Sequence, residues 1–182
     1  MTLNKPFFAA IAVAALLAGC AMMMDKPVPV VKDGEQTIPA DYKSWPKFLS
    51  AVQRPDAKQV REIYMNTTAK SATAAGGFPD GTVFVMENYA AKAKPDGTLE
   101  IGADGKLVKG DLLRVFVMGK NKGWGEDVNP PELRNGKWIY TSFLADGQKG
   151  PESLATCRAC HLPLVSKDFV HRYDEYFQQK GS

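Results

Sequence analysis

The chain has 182 residues, 45% hydrophobic and 24% charged, with a formal net charge of only +3. Part of that charge sits in an N-terminal leader, and roughly 160 residues remain behind it, enough for one domain around a single core. No basic run is interleaved with aromatics, which speaks against a nucleic-acid partner, and there is no internal repeat or low-complexity segment.

Lys5 and the apolar run Phe7 to Leu17 read as a secretory signal peptide, too short to span a membrane. Leu17-Ala18-Gly19-Cys20 looks like a lipobox. Residues 1–19 are then removed and Cys20 becomes a diacylated N-terminus; ordinary cleavage nearby is the alternative. Ala21 rather than Asp after that cysteine leans, by analogy with bacterial lipoprotein sorting, towards the outer membrane. The expected location is the periplasm, with the membrane reached through the lipid anchor only, since each buried acyl CH₂ contributes about 0.8 kcal/mol. Pro27, Pro29, Lys32, Asp33 and Gly34 make residues 20–40 an extended tether, leaving 41–182 as the folded domain.

Within that domain, Trp45, Phe48, Leu49 and Val52 are spaced for a short amphipathic helix over Tyr42 to Val52. Val60 to Asn66 suits a helix start or a strand. Phe78-Pro79-Asp80-Gly81 is a turn, and Thr82 to Tyr89 behind it is the clearest strand. Turns at Pro95-Asp96-Gly97 and Ala103-Asp104-Gly105 bracket a hairpin containing Leu99 and Ile101. Leu112 to Met118 reads as a second strand, Gly119 to Asp127 as a loop, and Lys137 to Leu144 as a third strand after the Asn135-Gly136 turn. Lys167 to Gln178 reads as a closing helix capped by Ser166 or Asp168. The expected class is α+β and β-rich, an antiparallel sheet with helices at the N- and C-terminal ends.

Cys157-Arg158-Ala159-Cys160-His161 has the Cys-x-x-Cys-His spacing that attaches a c-type haem. Each thiol can add across one porphyrin vinyl group, and the adjacent imidazole can ligate the iron. A thioredoxin-like redox pair would want a βαβ context that is not visible. Half of a zinc site would need two more N or S ligands, with no cysteine to spare and His171 as the only other histidine. With Cys20 lipidated or removed and Cys157 and Cys160 holding haem, no structural disulfide is left. The position of the motif, late in the chain and after strands, argues against the small helical cytochromes c. The absence of long heptad runs argues against a four-helix bundle.

Several stretches together resemble the cytochrome P-460 family, which includes the related β-sheet cytochromes c′. They are Val60 to Tyr64, Phe78 to Glu87, Gly123-Trp124-Gly125, Gly136 to Tyr140, Cys157 to Pro163 and Asp168-Phe169-Val170. The resemblance implies an antiparallel β fold over residues 41–182, one covalent haem c with five-coordinate iron, His161 as proximal ligand, and a homodimer. It also implies two functional types. In the P-460 type a lysine is bonded to the macrocycle and hydroxylamine is oxidised to nitrous oxide or nitric oxide, with a periplasmic cytochrome as electron acceptor. In the β-sheet cytochromes c′ that bond is absent, and an apolar cap favours nitric oxide or carbon monoxide binding without catalysis. A simple electron carrier with a methionine sixth ligand is a third possibility.

Lys92, then Lys94, resemble the family's cross-linking lysine in their separation upstream of the haem motif, and together with Glu87 they lean the reading to the hydroxylamine-oxidising type. The ordinary role for either is a solvated turn lysine. Glu87, a charge inside an apolar strand, is the candidate for the distal proton-transfer carboxylate; a salt bridge with Arg114 is the alternative, and Glu126 is a further candidate. By rough register the family carboxylate falls near Val117, where this chain is apolar. Met86 and Met118 are expected to be core rather than axial ligands, and Phe78, Phe84 and Phe116 core or distal wall. His171 is expected at the surface or beside the haem ligands. Arg158 is expected to face solvent or a propionate, and Trp124 and Trp138 to be structural.

Overall fold

The computed structural model describes residues 28–181 together with Met1. The expected signal peptide and the lipidation site Cys20 lie outside the described residues.

Five strands form one antiparallel sheet in chain order: β1 Lys47–Arg54, β2 Gln59–Met65, β3 Val83–Ala91, β4 Lys109–Lys120 and β5 Trp138–Leu144. Each is next to its sequence neighbour, so loops alone make the connections. Helices α1 Leu154–His161 and α2 Tyr173–Lys180 follow the sheet, joined by a 3₁₀ segment Leu162–Lys167. The β-rich α+β class is as expected. The strands expected from Thr82, Leu112 and Lys137 become β3, β4 and β5, and the segment left open at Val60 is strand β2. The Leu99–Ile101 hairpin is reduced to two isolated bridges, Ala93 with Leu99 and Ile101 with Leu107.

The sheet carries two apolar faces. One packs Phe48, Leu49, Val52, Met65, Phe84, Trp138 and Tyr140 against Val170, Tyr173 and Tyr176 of the C-terminal segment. Phe78 sits at its centre, 1% exposed, in ring contact with Phe48, Phe84, Trp138, Tyr173, Tyr176 and Phe177. The other face packs Tyr64, Val85, Val115, Val117 and Phe143 under Tyr42, with Ile38 and Trp45 alongside.

Three expectations are corrected. The N-terminal amphipathic helix does not form: Tyr42–Ser44 is a single 3₁₀ turn, and Lys47 onwards is strand β1. Two register shifts in the β1–β2 pairing, with Ala51 at φ +50°, bring Phe48, Leu49 and Val52 to the same side. Bulges of this kind turn an alternating pattern into one with helical spacing. The closing helix is broken between Lys167 and Tyr173, where Asp168, Phe169 and Arg172 have positive φ. Asp168 therefore caps no helix. Its carboxylate accepts from the Phe78 amide at 2.9 Å, from Lys120 Nζ at 2.8 and 2.9 Å and from Trp138 Nε1 at 3.3 Å, tying three distant segments together.

The third correction concerns the tether. From Pro29 to Gln36 the chain is a strap laid along the edge strand β5. The Gly34 amide donates to the Tyr140 carbonyl at 2.8 Å, and the Tyr140 amide donates to Asp33 Oδ1 at 2.9 Å. Lys149 Nζ donates to the carbonyls of Gly34 and Gln36, and Trp124 Nε1 donates to that of Pro29. Among the described residues no helix is long and apolar enough to cross a membrane.

Candidate functional site

The motif lies on α1, where residues three and four apart share a face. Cys157 and Cys160 are both free thiols, the first half-buried and the second exposed, one helical turn apart. Burial, reinforced by the Asp33 charge, pushes the Cys157 thiol pKa up. His161 ends the helix. Its Nδ1 lies 2.7 Å from the Phe169 carbonyl, which can only accept, so Nδ1 carries the proton and Nε2 keeps its lone pair. Burial pushes the His161 pKa down to about 4, with His171 adding to the effect, so the imidazole is neutral at neutral pH, the form that ligates a metal. The Phe169 carbonyl is in place because the chain turns through the left-handed region at Asp168 and Phe169.

His171 is in direct contact with this group. Its ring centroid is 4.7 Å from that of His161, and Nε2 is 3.5 Å from Cys160 Sγ. Among the described residues no cluster of three or more His, Cys, Asp or Glu side chains is placed to hold a bare metal ion. The thiol pair thus lacks the further ligands of a tetrahedral zinc site.

Beside the motif, the sheet face that receives the helices is incompletely covered. Ile63, Met86 and Phe116 are register partners across β2, β3 and β4, and Met118 lies one pair further on; all four are half-buried. The residues between them, Tyr64, Val85, Val115 and Val117, are buried on the other face. One row towards the far end, Arg61 pairs with Asn88. Arg61 and Arg54 are within electrostatic reach of Cys160, and burial with the neighbouring Arg54 and Arg172 charges pushes the Arg61 pKa down. Arg61 Nε and Asn88 Oδ1 are buried without hydrogen-bond partners. Groups of this kind are costly unless something completes them.

The other expected site residues fall as follows. Met86 and Met118 line this patch instead of being sealed in the core. Lys92 and Lys94 are exposed, with no ion pair or hydrogen bond to their ammonium groups among the described residues. Lys92 shares the parity of Met86 and Asn88 but is four residues beyond Asn88, about 13 Å along the strand. Arg114 is paired with Glu152, not Glu87. Glu126 is exposed in the Trp124 loop.

The placement of Glu87 lends no support to its expected role as distal proton-transfer carboxylate. Strand alternation puts Glu87 with Val85, on the face away from the thiols and His161. There it is 1% exposed and accepts from the hydroxyls of Tyr42 at 2.7 Å, Tyr64 at 3.0 Å and Tyr89 at 2.9 Å. Burial acts to raise its pKa, but the three tyrosine hydrogen bonds and Lys43 hold it below the usual carboxylate value. Val117 shares that far face, so the β4 positions facing the site are Phe116 and Met118.

Arg158 is also relocated. Instead of facing solvent it is 1% exposed, with its guanidinium paired to both Asp33 oxygens and donating to the Trp138 carbonyl at 3.1 Å. Sequence reasoning missed Asp33, Arg61, Asn88, Tyr140 and Asp168. Only Arg61 carried a usable signal, as a charge among the alternating apolar residues of β2.

The family model described as Cytochrome P460 matches residues 39–172, most of the chain and all of the sheet, motif and Phe169 turn. The chain belongs to the cytochrome P460 family. A search of curated proteins returned no match. Family membership makes the protein a haem cytochrome with iron as its metal. The side chains of this cytochrome fit that group: two free thiols, a neutral imidazole with an open Nε2, a half-covered apolar patch, and the orphaned Arg61 and Asn88 atoms share one region.

Proposed function

We propose that the protein is a mono-haem c-type cytochrome that binds a small uncharged ligand, such as nitric oxide or carbon monoxide, at an open position on its iron. Cys157 and Cys160 hold the porphyrin through thioether bonds. His161 ligates through Nε2, held in that tautomer by the Phe169 carbonyl. The haem, when bound, supplies the ligand-binding and redox chemistry. The chain fixes the imidazole, excludes water with Ile63, Met86 and Phe116, and offers polar atoms at Arg61 and Asn88. The observation that carries this reading is the apolar row Ile63–Met86–Phe116 on the site face, with Glu87 turned away from it. An apolar cap with no carboxylate favours binding over proton-coupled turnover.

A second reading is hydroxylamine oxidation to nitrous oxide or nitric oxide at a lysine-bonded haem. It is favoured by the unpaired ammonium of Lys92, on the parity of the site face. The leader and Cys20 support a periplasmic, lipid-anchored location on the outer membrane. The resemblance supports a homodimer and a periplasmic cytochrome as electron acceptor.

The ferrous absorption spectrum of exported, haem-loaded protein separates the readings. An unshifted, high-spin Soret band with reversible carbon monoxide binding is expected. A Soret band far to the red, lost in Lys92→Ala, would establish the cross-link and favour the enzyme. A low-spin spectrum that becomes high-spin in Met86→Leu would overturn both and assign Met86 as sixth ligand. Colourless protein would remove the haem reading altogether.

A further inference from the structure

Arg158 occupies one of the two variable positions of the haem motif, where a side chain is ordinarily free to face water. Here it is among the most deeply buried side chains of the described residues. Its guanidinium pairs with Asp33, 125 residues earlier, through Nε to Oδ2 at 2.5 Å and Nη2 to Oδ1 at 2.8 Å. Bidentate pairing of this kind fixes orientation as well as charge. The same guanidinium donates to the Trp138 carbonyl, and Asn135 Nδ2 donates to the Arg158 carbonyl at 3.3 Å.

Tyr140 joins this pair to the proximal ligand. The Arg158 guanidinium carbon lies 5.2 Å from the Tyr140 ring centroid, and the His161 ring centroid lies 5.1 Å from it at an interplanar angle of 56°. The Tyr140 backbone amide is itself bound by Asp33 Oδ1. Its hydroxyl is buried without a partner. Asp33 thus grips the cation that packs on the Tyr140 ring and the backbone that carries the ring.

We propose that Arg158 is a positioning residue for the proximal ligand: locked by Asp33, it acts through the Tyr140 ring to set the orientation of the His161 imidazole and, by its charge, the electron richness of the iron that imidazole ligates. This rests on the reading of His161 as the ligand of a covalently held haem. The arrangement places one positive and one negative charge, both largely withdrawn from water, next to the ligand-bearing helix. Charges in such surroundings are weakly screened and act on a nearby redox centre in opposite directions.

The test uses full-length, exported, haem-loaded protein. Asp33→Asn leaves the Arg158 charge without its counter-ion and is expected to raise the iron midpoint potential. Arg158→Gln leaves the Asp33 charge and is expected to lower it. Arg158→Lys keeps the charge but loses the fork geometry; its potential is expected near that of the parent, while the ferrous iron–imidazole stretching frequency moves. Tyr140→Leu is expected to move that frequency too, whereas Tyr140→Phe, which removes only the unpaired hydroxyl, is not. Asp33→Asn, the most conservative change in shape, suffices if Arg158→Gln fails to fold. Shifts of equal sign in the two charge variants, or an unmoved potential in folded Asp33→Asn, would overturn the proposal. Absence of covalent haem in the parent protein, read by its pyridine haemochrome, would instead sink the functional reading beneath it.

Discussion

Replacing Glu87 by Gln separates a structural from a catalytic carboxylate. The parent side chain presents two oxygens to three donors: Oε1 takes the Tyr42 hydroxyl, and Oε2 takes those of Tyr64 and Tyr89. Gln has the same shape but one acceptor oxygen and no charge, so one or two of these contacts must be lost or reversed. Hydrogen bonds to a charged group contribute about 1.5–3 kcal/mol each, giving a loss of about 3 kcal/mol. For a domain of this size that lowers the melting temperature by roughly 6–12 °C. Thermal denaturation followed by far-ultraviolet circular dichroism reads the loss. The ferrous spectrum and carbon monoxide affinity of the haem-loaded variant are expected to match the parent, because the cluster lies across the sheet from His161. A variant that melts like the parent but loses ligand binding or hydroxylamine turnover would show that Glu87 faces the iron after all.

Asp168→Ala removes the acceptor shared by Lys120, Phe78 and Trp138 and leaves a largely buried ammonium unpaired; a loss of about 3–5 kcal/mol is expected in urea denaturation. Arg61→Gln is expected to weaken binding of an anionic ligand such as cyanide to the ferric protein about tenfold, a difference of about 1.4 kcal/mol, while carbon monoxide affinity stays constant; equal effects on both ligands would refute the electrostatic role. Burial acts to raise the pKa of Glu62, Glu87 and Glu152, but hydrogen-bond donors and nearby cations hold each below the usual carboxylate value. A folded-state pKa below the unfolded one adds stability that is complete above the unfolded value and lost as the pH falls through the folded one. The melting temperature is therefore expected to decline below about pH 6.5, where the unfolded His161 imidazole takes up a proton that the buried one refuses down to about 4, and to fall more steeply where the carboxylates protonate; a protein that melts at the same temperature throughout that range would contradict these placements.

Three of the five strands were legible because they are local signals, β-branched runs bounded by turn residues, and the Cys-x-x-Cys-His spacing is a local signal of the same kind. β1 was misread because its two bulges place Phe48, Leu49 and Val52 on one face, and that spacing is what an amphipathic helix would show. The break before α2 left no signal, since Asp168, Phe169 and Arg172 adopt positive φ without a glycine to announce it. The face that Glu87 takes was not legible, for a different reason. β3 is apolar on both sides, so alternation says which residues share a face but not which face meets the motif. Arg158 and Asp33 were beyond reach altogether, because nothing local links residues 125 positions apart.

The strap also bears on where the protein can be cut. The family match begins at residue 39, and a recombinant version trimmed to that boundary would seem to keep everything that matters. It would discard Asp33, and with it the only carboxylate paired with Arg158 among the described residues. The missing counter-ion would then be felt inside helix α1, far along the polypeptide from the deletion.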